Sequence, residues 1–153
     1  ITIHHTPVDH WRFAHFGVNA NIAGVSGDLV DPNGNGLVNL LEDALLGEPF
    51  VTGTAQGALP VAGRDASQHL TLSFLHALDR SDATLIVQAT DTLGGQWTDL
   101  AQSVGGASFS SLQPGVTIDE SGPANARVVT VSDLYSSDDP AHPHRFLRLE
   151  VTR

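Results

Sequence analysis

The sequence predicts an α+β fold that is mainly β: a short helical segment over residues 1–50 followed by an antiparallel β-sandwich over residues 51–153, together one domain. Three observations predict it. Apolar residues recur at helical spacing only in the first third, they alternate with period two from residue 68 onward, and turn-forming clusters interrupt the alternating part at short intervals. A length of 153 residues suffices for one buried core.

The first helix is predicted over about residues 7–16. Thr6 stands as N-cap before Pro7 at the first helical position, Asp9 follows three residues after the cap, and Gly17 is the stop. Trp11, Phe13 and Phe16 are expected to serve the core. A second helix is predicted over residues 37–46, where Leu37, Leu40, Leu41, Ala44 and Leu45 fall on one face; Gly47 and Pro49 end it.

The strands follow. Leu70, Leu72 and Phe74 alternate with Thr71 and Ser73, and Leu85, Val87 and Ala89 alternate with Ile86 and Gln88. Val129 with Val131, and Leu147 and Leu149 with Val151, repeat the pattern. Turn clusters lie at residues 79–82, 94–95, 105–106, 114–115, 121–123 and 136–140. Short strands with frequent turns indicate antiparallel pairing.

Composition removes several classes of function. With 17 Asp and Glu against 7 basic residues the formal charge is −10, which disfavours nucleic acid and anionic membranes as partners. All seven basic residues are Arg, so Schiff-base and P-loop lysine chemistry are excluded. No Cys is present, which excludes disulfides and thiolates and leaves the compartment open. No apolar run approaches the roughly 18 to 20 residues needed to insert through a bilayer. Ile at position 1 in a chain without Met reads as a processed or excised piece of a larger precursor, an expectation compatible with secretion.

The most informative segment is Asp31-Pro32-Asn33-Gly34-Asn35-Gly36-Leu37-Val38-Asn39-Leu40-Leu41-Glu42, which fits D-x-[DN]-x-[DN]-G-x5-E at every specified place. Calcium is a hard cation that takes about 6 to 8 oxygens, and alternate side chains of a tightly wrapped loop converge on one point. Asp31, Asn33 and Asn35 would supply oxygens, Gly36 permits the sharp turn, Leu37 offers its backbone carbonyl, Asn39 acts directly or through water, and Glu42 closes the site with two oxygens. Asn39 is also placed to cap the following helix. An ordinary Asn-Gly turn would need neither the acid at the first position nor the acid at the twelfth.

The loop resembles the calcium loops of EF-hands and dockerins. The wider pattern Trp11-Arg12-Phe13-Ala14-His15-Phe16-Gly17, the loop, Ala44-Leu45-Leu46-Gly47 and the terminal run Phe146-Leu147-Arg148-Leu149 resembles a C-terminal module of large secreted bacterial proteins. That resemblance implies a calcium-bound helical segment leading into β-strands and carries no settled activity. Two departures qualify it. Residues 24–28 are not expected to form an entering helix, which argues against a sensor that opens a groove. Asn replaces Asp at positions 33 and 35, and the lower ligand charge points to the weak extracellular range of about 10⁻⁴ to 10⁻³ M.

Other constellations weigh less. His4, His5, His10, His15, His142 and His144 match no zinc spacing, and surface histidines are expected, although the two groups would meet if the chain ends lie together. Residues 24–27 share part of a nucleophile-elbow pattern and are read as loop. The acid pairs Asp119-Glu120 and Asp138-Asp139 are read as solvated. Trp97 and Tyr135 would form a sugar-stacking platform if exposed, with core packing of Trp97 the favoured alternative.

The sequence therefore points to a non-catalytic extracellular or cell-surface structural module stabilised by Ca2+. Its partners would be other copies of itself, in a filament, or the rest of a larger secreted protein. For assembly the candidate connector is Ile1-Thr2-Ile3-His4-His5-Thr6, a strand-like stretch cut off from the sheet by Pro7, with pairing inside its own sandwich the favoured alternative to addition on a neighbour's edge. A calcium-dependent carbohydrate-binding module is the alternative and an enzyme comes third. No catalytic residue or organic cofactor is assigned.

Overall fold

The computed structural model describes residues 5–46 and 59–153. The chain opens with helix α1 (Pro7–Phe16), whose start is closed reciprocally: Asp9 N–H donates to the Thr6 hydroxyl at 3.3 Å, and Thr6 N–H donates to the Asp9 carboxylate at 3.0 Å. Those bonds hold the Asp9 carboxyl below the usual carboxylate range. Gly17, at φ +51°, ends the helix. Trp11 is buried and packs against His15, whereas Phe13 is 70% exposed, so only part of the expected aromatic core forms. The reason is geometric: Phe13 lies two residues from Trp11, on another side of the helix.

A 3-10 turn (Gly17–Asn19) leads to helix α2 (Ala23–Ser26), which corrects the expectation of a loop at residues 24–27. Ile22 supplies a carbonyl to the N–H groups of Val25 and Ser26, and the Ser26 hydroxyl donates to Ala20 and Ile22 carbonyls, so this serine is a local fastening. Helix α2 is a single turn and ends before the loop begins, consistent with the absence of a full entering helix.

The second predicted helix starts later than expected. Helix α3 (Asn39–Leu41) runs directly into a π-helical turn (Glu42–Leu46), and Val38, not Asn39, is the N-cap residue. All five residues of the wide turn are buried, including Glu42 and Asp43. The expected one-sided stripe is therefore replaced by a turn sunk on every side. Gly47 and Pro49, the expected stop, lie outside the described residues.

Eight strands follow among the described residues: β1 (Val61–Arg64), β2 (His69–His76), β3 (Thr84–Thr90), β4 (Thr98–Val104), β5 (Ser110–Ser111), β6 (Ile118–Ser121), β7 (Arg127–Ser136) and β8 (Phe146–Thr152). They form two four-stranded antiparallel sheets, in the orders β1-β2-β7-β6 and β5-β4-β3-β8. The predicted alternation sets the register. Leu72 faces Val131 and Phe74 faces Val129 in the first sheet, while Val87 lies opposite Ala101 on one side and Leu149 on the other. These residues, with Leu85, Leu100 and Phe109, join one apolar cluster that also takes in Ala44 and Leu45 of the π-helical turn. Leu37 and Leu46 form a smaller cluster against Leu75, anchoring both ends of the helical element on β2.

An ionic network reinforces that attachment. Arg153 reaches Asp43 at 2.8 Å, Asp28 at 3.2 Å and Asp82 at 3.5 Å. Arg12 pairs with Asp28 at 2.7 Å, and Asp82 accepts the N–H of Val8 at 2.9 Å. Arg80 stands 3.3 Å from Asp43 as an ion pair without hydrogen-bond alignment. Burial pushes the Asp43 carboxyl above its ordinary value, and Arg153 opposes that rise more strongly than Arg80 does.

Candidate metal centre

The 31–42 loop is wrapped by its own side chains. Asp31 accepts from two backbone N–H groups, Asn35 at 3.2 Å and Gly36 at 2.9 Å. Asn33 Oδ1 accepts from Asn35 N–H at 3.0 Å, and Asn35 Oδ1 accepts from Leu37 N–H at 2.8 Å. Three successive side chains at alternate positions thus turn inward on the backbone, which curls the loop. Gly34 and Gly36 take φ of +68° and +92° with open space where a Cβ would stand, so backbone conformation, not crowding, demands glycine there.

Glu42 returns to this loop from the π-helical turn. Its Oε1 accepts from the carboxamide N–H groups of Asn33 at 3.1 Å and Asn35 at 2.7 Å. Its Oε2 is buried with no hydrogen-bond partner among the described residues, in a side chain only 1% exposed. Asn33 and Asn35 are thus linked side chain to side chain with Glu42, while Asp31 is tied to the backbone of the same loop. Leu37 contributes a buried side chain that roots the loop's end in the apolar cluster beside β2.

Asn39 behaves differently from expectation. Instead of capping the helix it sends its Nδ2 to the carbonyls of Val25 at 3.0 Å and Gly27 at 2.9 Å, while its Oδ1 is buried without a partner among the described residues. Backbone bonds from Asn39 to Val30 and from Leu40 to Asp28 tie the same stretch to the residues that follow α2. Asn39 thus holds the approach to the loop.

The donor set is oxygen-rich and contains two carboxylates. Among the described residues no group of three or more His, Cys, Asp or Glu side chains is placed to hold a metal ion, so the site would depend on carboxamide and carbonyl oxygens as well. That chemistry suits a hard cation and not a transition metal.

Histidine placement departs from the sequence expectation in one case. His76 is fully buried, with Nε2 at 3.1 Å from the Ser103 hydroxyl and Nδ1 at 3.4 Å from Glu120, which makes a Ser–His–Glu line. Glu120 also accepts the N–H of Phe109 at 2.9 Å, correcting its reading as a solvated acid. The line is not arranged for nucleophilic attack, because the Ser103 hydroxyl donates to the Ala107 carbonyl and Ser103 is 1% exposed. Burial holds His76 below the usual imidazole range against the upward pull of Glu120. No sequence signal marked this trio, since its members come from β2, β4 and β6.

The two sugar-platform candidates are each engaged. The Arg148 guanidinium lies 4.2 Å above the half-buried Trp97 ring, and the His142 ring stacks on Tyr135 at 3.6 Å. Of the paired histidine groups, His4 lies outside the described residues, and His5 packs edge-on against His10. No protein-family model, curated protein or solved structure matches the chain.

Proposed function

We propose that this chain is a non-catalytic extracellular structural module in which calcium, held by the 31–42 loop, fastens the helical segment to a β-sandwich built from the two sheets. The observation that carries the reading is the Glu42 carboxylate, buried with one oxygen unpartnered and the other facing two carboxamides. A buried carboxylate is costly unless a cation and hydrogen bonds compensate it, and among the described residues Arg12, Arg80 and Arg153 are engaged by other acids: Arg12 by Asp28, Arg80 and Arg153 by Asp43. Asp31, Asn33, Asn35 and Glu42 would hold calcium, with the Leu37 carbonyl and Asn39 as further donors, and the ion would supply positive charge that locks the loop. The resemblance to EF-hand and dockerin loops supports the same reading.

Titration calorimetry on the chelator-treated chain tests it. One calcium per chain is expected, in the weak range of about 10⁻⁴ to 10⁻³ M, with binding lost in Glu42→Gln. A chain that takes no calcium, or a variant that binds as well as wild type, refutes the site. The carbohydrate alternative has less support because Trp97 and Tyr135 each carry a cationic or imidazole side chain on a ring face.

The assembly reading is narrower. Its connector, residues 1–6, lies mostly outside the described residues, and its support is the strand-like alternation before Pro7. A contact that does not close into a ring would propagate as a filament. The mass distribution in calcium should shift to monomer when residues 1–6 are removed. Equal assembly of both versions, or a monomeric intact chain at high concentration, rules out this connector.

A further inference from the structure

We infer that the cleft between the end of β1 and the β7–β8 connection binds a small oxyanion, a sulfate or phosphate group carried on a compact molecule. The cleft has a volume of about 270 Å³, and its walls include Arg64, Ser137, His142, His144, Arg145 and Phe146. Four of these are Arg or His, in a chain of net charge −10. Such a concentration runs against the composition of the rest of the molecule.

What sets this cleft apart is how its cations are used. Arg145 is consumed by Asp133, at 2.7 and 2.6 Å, and by Asp91 at 3.1 Å; His142 is fixed by the same Asp91 at 3.0 Å and by stacking on Tyr135. These two side chains are thus held in place by acids of the same chain. Arg64 and His144 have side chains without a hydrogen-bond or ion-pair partner among the described residues, and every other arginine lies within 4.0 Å of a carboxylate. In a chain with 17 acids, an arginine left unpaired beside an unpaired histidine is an available anion clamp. The Ser137 hydroxyl is a further polar group, buried in the wall with no partner among the described residues.

Size and charge together define the ligand. Liquid water takes roughly 30 Å³ per molecule, so the cleft has room for an anionic group and an attached small moiety. The planar Arg64 fork can engage two oxygens of one group, and an imidazole N–H can donate to a third. Nearby acids limit the affinity: Asp65 is occupied by the N–H groups of Ser67 and His69, but Asp138 and Asp139 stand on the same connection as His142. Binding is therefore weak and salt-sensitive.

The test follows backbone and imidazole signals of the whole chain by nuclear magnetic resonance. Sodium sulfate is compared with sodium chloride at equal ionic strength, and a 6-sulfated monosaccharide forms a second arm. Saturable shifts centred on Arg64, His142 and His144 are expected with sulfate. Arg64→Ala and His144→Ala, both at exposed positions that keep the fold, should each weaken binding about tenfold, the loss expected for a charge-assisted contact. Tighter binding of the sulfated sugar than of free sulfate would support an ester ligand, and equal binding a free anion. Shifts that chloride reproduces, or that both variants retain in full, would overturn the proposal.

Discussion

Adding calcium at a hundred times its Kd should stabilise the wild-type chain by about 2.7 kcal/mol, a rise of roughly 5 to 10 °C in Tm for a domain of this size. Glu42→Gln should abolish that response. The substitution keeps an oxygen for the Asn33 and Asn35 carboxamides while removing the buried charge, so its effect without calcium has a distinct sign. In chelator the variant should melt at or above wild type, because an uncompensated buried carboxylate has been removed. In calcium the order should reverse. A scanning-calorimetry series in which the two chains respond equally to calcium would exclude the loop as the stabilising site.

Arg153→Ala should cost about 3 kcal/mol near neutral pH, the lower end of the range for stranding a buried charge, since Arg80 still stands beside Asp43. The loss should depend on pH. Burial already raises the folded-state value of Asp43 above the ordinary one, and removing Arg153, its strongest opponent, raises it further. A carboxyl with a raised folded value binds its proton more tightly in the folded chain, so stability is retained below the unfolded value and lost as pH climbs through the folded one. The deficit of Arg153→Ala should therefore be small near the acid end, where Asp43 is protonated, and grow toward neutrality. Urea midpoints across that range read this directly, and a deficit constant across the series would place the effect outside the Asp43 contact.

The periodic parts of the molecule were legible from residue spacing. Thr6, Pro7, Asp9 and Gly17 marked α1 because capping is local, and the alternation through Leu72 and Phe74 marked β2 because the strand has one face on the core. The edge strand β1 was not marked: all four of its residues are exposed, so nothing in their pattern had to alternate. Helix α2 was missed because a single turn held by Ile22 has no period to detect. The positions of Asp31, Asn33, Asn35 and Glu42 along the loop were legible since the motif fixes their spacing. What spacing could not show was the burial of Glu42 and Asp43 together, or the pull of Asn39 toward Val25 and Gly27, both of which depend on elements distant in sequence.

The position of β8 has a consequence for how the molecule is made. Strand β3 lies between β4 and β8, and β8 follows the other seven strands in sequence. During synthesis β3 and β4 can pair as soon as they emerge, but the far edge of β3 keeps its N–H and C=O groups open until residues 146–152 arrive. One tether of the helical segment is also late, because Arg153 joins Asp28 across 125 positions of sequence. Early-made parts are thus secured by a strand made well after them, a long-range closure that slows folding and leaves a Val- and Leu-bearing edge open to other chains in the interval.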